Sequence, residues 1–166
     1  MSFKADLEVG RAYEREVADL FESLTGSKFE LITKDTHPHL YKKVDLLEID
    51  SSKHFSELVS LECKYSGDKH NDSPNVVIEY SSYRGETSGI CTSLSWFWVF
   101  RIADKHLVTR RDELIKLIIY DLAHDEKHRR IKMKNLDHKK LMLVPIELLV
   151  DLEICPSSKT YSRILQ

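Results

Sequence analysis

Apolar residues first recur every three to four positions. Tyr13, Val17, Leu20, Phe21 and Leu24 fall at i, i+4, i+7, i+8 and i+11, one stripe of an α-helix. Asp6 is placed to cap its start, and Gly26 follows the last apolar position, where a C-terminal glycine belongs. At 100° per residue Glu14 lies beside Phe21 at one edge of the stripe, and Glu16 lies at the other. The period then shortens to two. Residues 29–33 are mixed and 44–49 mostly apolar. In 58–65, Val59, Leu61, Cys63 and Tyr65 point one way, and Ser60, Glu62 and Lys64 the other. The polar stretch 50–57 predicts a hairpin loop between the last two strands. Residues 66–75 are rich in turn formers. Residues 76–80 and 97–102 predict further strands, with a short helix or turn in 86–95. Thr109 and Asp112 have capping-box spacing and open a helix carrying Leu114, Ile115, Leu117, Ile118 and Leu122. A last strand at 141–144 and a short helix begun by Pro145 follow. This order predicts an α/β (α+β) layered domain.

The chain has 166 residues, of which 42% are hydrophobic and 31% charged. That predicts one domain over 1–166, and neither disorder nor a membrane span. Cys63, Cys91 and Cys155 are odd in number and form no CxxC pair, which argues against a zinc ribbon or a disulfide scaffold. The start lacks the apolar stretch of a signal peptide, so a reduced, cytoplasmic protein is expected.

Net charge is −2, but the total hides a split. Residues 101–140 carry a local +5 and the remainder −7. Within 127–140, seven bases face one acid, Asp137. Such asymmetry says more about partners than the total.

The candidate chemistry lies in the hairpin. A loop centred between Lys53 and His54 puts Asp45 opposite Glu62. Two facing carboxylates repel and weaken a sheet, and a cation between them reverses the sign. Oxygen ligands of this kind suit Mg²⁺, with Mn²⁺ as a substitute. Lys64 shares a face with Glu62, where its ammonium is placed to orient a water or offset charge on a phosphate. An acid and a lysine at i, i+2 are also common on a solvated strand face, so the pair alone is weakly specific.

Asp45, a hairpin and Glu62-Cys63-Lys64 resemble the signature of the PD-(D/E)XK nuclease superfamily. Gly10-x-x-x-Glu14-Arg15 is similar to the opening helix of archaeal Holliday-junction resolvases, and the stretch 76–100 resembles small phage-encoded nucleases. The resemblance covers 7–102 and leaves 103–166 outside. It implies a restriction-endonuclease-like core with a central mixed β-sheet flanked by helices. Asp45, Glu62, Glu14 and the backbone carbonyl of Cys63 would hold the metal, and Lys64 would be the catalytic lysine. Val44 stands where the pattern has proline. The implied activity is Mg²⁺-dependent DNA endonuclease, with junction resolution, homing cleavage or restriction as specificities. Cutting two strands at once implies a homodimer. The alternative is a nucleic-acid-binding or assembly protein on a degenerate nuclease fold.

With DNA as partner, Lys42, Lys43, Arg84, Arg129, Arg130, Lys132 and Lys134 are the candidate contacts. Glu79 is a possible accessory acid, against the ordinary reading of an exposed strand residue. Asp121, His124, Asp125 and His128 share one helical face and offer zinc ligands, although a solvated face is the more common meaning. Trp96, Phe97, Trp98 and Phe100 suit core packing better than base stacking.

Overall fold

The computed structural model describes residues 3–65, 73–82, 86–103, 105–136, 139–150 and 164–165. They form an α+β fold with three helices, a mixed sheet and a three-stranded antiparallel sheet. In chain order the elements are α1 (Phe3–Thr25), β1 (Lys28–Leu31), β2 (Leu46–Ile49), β3 (Ser60–Lys64), β4 (Asn75–Ser82), β5 (Phe97–Ile102), β6 (Lys105–Arg110), α2 (Arg111–Leu122), β7 (Lys132–Leu136), β8 (Lys139–Pro145), α3 (Ile146–Val150) and β9 (Ile164–Leu165). Among the described residues no helix is long and apolar enough to cross a membrane.

The chain divides into two compact units. The first comprises Met1–Tyr65 and Leu94–Val99, the second Ser66–Ser93 and Phe100–Gln166. In the first, β1 and β2 pair antiparallel, β2 and β3 pair antiparallel, and β5 begins beside β3. The predicted stripe of α1 is its buried face: Tyr13, Val17, Ala18 and Phe21 are buried, and Phe21 meets Phe29 of β1 edge-on at 5.8 Å. Leu46, Leu61, Trp98 and Val99 complete this core. Burial of that order stabilises by ~1.5–3 kcal/mol per large side chain. Ile32, Val44 and Leu47 form a smaller apolar cluster, packed by Leu40 and Leu58. Gly26, at φ +73, ends α1, and its N–H bonds the Glu22 carbonyl at 2.9 Å. Two details differ from the sequence reading. The helix begins at Phe3, so Asp6 lies inside it rather than capping it. Leu24, in the last turn, is exposed because the helix ends before its stripe is covered.

In the second unit, β8 lies between β4 and β7. Gly89, at φ +54, opens a 3₁₀ turn against β4: a Cβ there would stand 2.1 Å from the Glu79 carbonyl oxygen, so only glycine fits. Two expectations are corrected, and the basic run gains a strand. Thr109 does not cap α2. It is buried in β6, a strand the pattern did not predict, and Arg110 occupies the N-cap position without a side-chain cap bond. The basic run contains strand β7, whose five residues are all exposed. Asp121 belongs neither to a zinc face nor to a solvated one. It is buried, and its carboxylate accepts the N–H groups of Arg130 and Ile131 at 3.1 and 2.9 Å, which fixes the chain entering β7.

Candidate active site

The β2–β3 hairpin sets the geometry. Leu46 faces Leu61 and Leu47 faces Ser60, the register expected for a loop centred between Lys53 and His54. The ladder itself stops short of Asp45, because β2 begins at Leu46. The Asp45 N–H bonds the Leu61 carbonyl at 3.0 Å, and the Asp45 carboxylate accepts the Cys63 N–H at 2.7 Å. A side chain thus satisfies a strand donor that backbone would otherwise take. This explains how a carboxylate is tolerated at the head of an apolar strand.

Two residues on, Lys64 Nζ donates to Glu62 Oε1 at 2.5 Å, and Glu62 is buried. The same ammonium stands 5.0 Å from the centroid of the Trp98 ring, a cation–π position. Trp98 is fully buried, as core packing expects, and its spacing gives no sign that its ring also flanks Lys64. Burial by itself would lower the Lys64 pKa. The charges of Glu62 and Asp45 and the hydrogen bond to Glu62 outweigh it, holding the amine above 10.5 and charged at neutral pH.

Glu14 enters this group from α1. Burial is the main cause that raises its pKa above 4.5, opposed by Arg11 and Arg15 and reinforced by Glu62. Asp45 is likewise raised above 3.8, chiefly by burial and further by Glu14, against the pull of Lys64 and the Cys63 N–H. The Cys63 thiol is pushed well above 9.0 by burial and by the charges of Asp45, Glu14 and Glu62. It stays protonated, which removes it as a nucleophile or thiolate ligand. The four signature residues Glu14, Asp45, Glu62 and Lys64 therefore lie in one unit and feel one another's charge.

Three carboxylates gather around the Lys64 ammonium in a partly desolvated place, with Arg11 and Arg15 acting on Glu14. That donor chemistry suits a hard divalent cation. Part of the oxygen set is already engaged, Asp45 Oδ2 by Cys63 and Glu62 Oε1 by Lys64. Among the described residues no three His, Cys, Asp or Glu side chains are arranged to hold one ion. The side chains thus fit a Mg²⁺ held by one or two carboxylates that keeps waters and substrate oxygens. They do not fit a closed protein cage.

Nearby, Glu48 was missed by the sequence reading. It is buried within β2, where it accepts from Lys53 Nζ at 2.7 Å and from the Val59 N–H at 3.0 Å. Its signal was an acid inside an apolar run, the same signal that marked Asp45. It anchors the hairpin at the end opposite Asp45.

The remaining candidates have other surroundings. Glu79, in the second unit, accepts from Ser88 Oγ at 2.7 Å and pairs with Lys139 at 2.6 Å. Arg129 donates to the His124 carbonyl at 2.8 Å, and Arg130 pairs with Glu147. Lys132 and Lys134 are exposed on β7, and Lys42 and Lys43 are exposed before β2. Arg84 lies outside the described residues. The aromatic cluster divides: Trp98 and Phe100 are buried, while Trp96, just before β5, is 50% exposed.

No known protein family, curated protein or solved structure matches the chain.

Proposed function

We propose that this protein is a metal-dependent DNA endonuclease of the PD-(D/E)XK type. One observation carries the reading. A helix acid, a strand acid at the head of a hairpin, and an acid-x-lysine on the returning strand converge in one unit, with Lys64 charged and held between Glu62 and Trp98. The order helix, three strands and a further strand beside the third supports a restriction-endonuclease-like core, with β4 and a 3₁₀ turn standing among the described residues where that core has a second helix.

Each residue then has a role. Asp45 and Glu62, with the backbone carbonyl of Cys63, are the groups to hold Mg²⁺, or Mn²⁺ in its place. Glu14, on α1, acts on this group through its charge rather than as a third ligand. The ion supplies Lewis-acid stabilisation of phosphoryl charge when bound. Lys64 is fixed on two sides, so its remaining N–H donors can orient a water or a phosphate oxygen without reorganising. Its charge persists at neutral pH, when negative charge builds on the phosphate. The Cys63 N–H, held by Asp45, keeps that carboxylate aimed along β3.

For the partner, the exposed lysines of the β7–β8 hairpin favour DNA. Lys132 and Lys134 lie on β7, and Lys139 and Lys140 on β8. Cleavage of both strands asks for two copies, so we infer a homodimer. The test is incubation with supercoiled, linear and branched DNA in Mg²⁺ or Mn²⁺, with and without chelator. Metal-dependent nicking supports the reading. Intact DNA with binding retained favours a binding or assembly protein instead.

A further inference from the structure

The first unit leaves two large apolar side chains in water beside the candidate site. Leu94 is 56% and Trp96 50% exposed, whereas Trp98 two residues later is fully buried. A half-exposed tryptophan on a rigid backbone is an uncommon use of that residue. Rigidity here is built in. The Trp96 N–H bonds the Ser60 carbonyl at 2.9 Å and Ser60 Oγ at 3.1 Å, while Ser60 Oγ reaches the Leu94 carbonyl at 3.4 Å. The Leu94 N–H bonds the Lys43 carbonyl at 2.9 Å.

These bonds place the patch relative to the chemistry. Ser60 is two residues before Glu62 on β3, and Lys43 is two residues before Asp45. The segment holding Lys43 also exposes Tyr41 and Lys42, with Lys42 Nζ 5.9 Å from the Tyr41 ring centroid. Among the described residues neither Lys42 nor Lys43 has a carboxylate partner. Exposed aromatic faces and unneutralised cations therefore share the two backbone segments that abut the candidate carboxylates.

We propose that Trp96, with Leu94 and the Tyr41-Lys42-Lys43 segment, forms a subsite that stacks an unpaired base of the strand being cut, with Lys42 and Lys43 taking its flanking phosphates. The proposal rests on the nuclease reading and names the substrate form it prefers. Aromatic stacking with adjacent cations is the recognition mode of single-stranded nucleic acid, tolerant of sequence because every base has a π-face. The preferred substrate is then DNA carrying a single-stranded or locally opened segment rather than uninterrupted duplex.

The test is made in chelator, so it does not depend on cleavage. Single-stranded oligothymidylate and a duplex of equal length are titrated into wild type, Trp96→Ala, Trp96→Phe and Lys42→Ala/Lys43→Ala. Binding is followed by anisotropy of a labelled oligonucleotide and by tryptophan emission. The single strand is expected to quench wild-type emission. Trp96→Ala should bind it ~10-fold or more weakly, with duplex affinity much less changed, while Trp96→Phe recovers most of the loss. The lysine double variant should flatten the salt dependence. Equal single-strand affinity for wild type and Trp96→Ala overturns the stacking subsite while leaving the nuclease reading standing. Absence of binding to either DNA by wild type overturns both. Wild-type self-association that Trp96→Ala abolishes, with DNA affinity unchanged, overturns the subsite in favour of a contact between copies.

Discussion

The carboxylate of Asp45 accepts the backbone N–H of Cys63 at 2.7 Å, on the strand that carries Glu62 and Lys64. One side chain thus ends the β2–β3 ladder and lines up the signature residues. Asp45→Ala strands the Cys63 donor and should cost ~1–3 kcal/mol in urea unfolding. Asp45→Asn keeps an acceptor and sheds a desolvated charge, so its stability should stay within ~1 kcal/mol of wild type. On the proposed metal role, Mg²⁺ should raise the Tm of wild type and leave that of both variants unchanged. A wild-type Mg²⁺ response in Asp45→Asn would remove Asp45 from the ligand set.

Glu14 predicts a pH dependence of stability. Burial, above all, holds its carboxyl above 4.5 in the native state. Between that value and the raised one, the folded chain binds the extra proton. The group's contribution to stability is therefore fully present below the unfolded pKa and is lost as pH rises through the folded one. Glu14→Gln should gain stability relative to wild type as pH rises from about 4 to 7. Urea midpoints across that range measure the difference, and a gain that shrinks with pH would contradict it.

Asp121 separates structure from metal binding in the second unit. Its carboxylate serves two backbone donors, so Asp121→Ala should destabilise by ~2 kcal/mol. His124 and His128 are exposed, and alanine at either should change stability by less than ~0.5 kcal/mol. Zinc should leave Tm unchanged. A Tm raised by zinc and lost in His124→Ala would restore the metal reading.

What the sequence made legible follows physical range. The α1 stripe, the hairpin register and the span of β5 depend on neighbours a few residues away, and pattern alone located them. Asp45 stood out because a carboxylate in an apolar run requires a partner. That its partner is the Cys63 N–H was not legible, since the bond depends on where the ladder breaks. Thr109 failed as a cap because burial in β6 overrode a local preference. The pattern marks no strand in the basic run because β7 is an exposed edge strand, with no buried face to impose alternation. Trp96 and Trp98 look alike in sequence. Only the start of β5 at Phe97 separates the exposed ring from the buried one.

The β7–β8 hairpin should supply phosphate contacts. Lys132→Ala/Lys134→Ala should weaken DNA binding similarly for all sequences and reduce the slope of log affinity against log salt by ~2. Cleavage at saturating DNA should persist. An unchanged slope would place the DNA surface elsewhere.

The most direct measurement is DNA cleavage in Mg²⁺ by wild type and Lys64→Ala, purified side by side, with DNA affinity determined in chelator. Lys64 is the charged group held between Glu62 and Trp98. Wild type should cleave. The variant should cleave ~100- to 1,000-fold more slowly, with affinity retained. Equal rates for the two proteins, or no metal-dependent cleavage by wild type on any DNA form, would contradict the account.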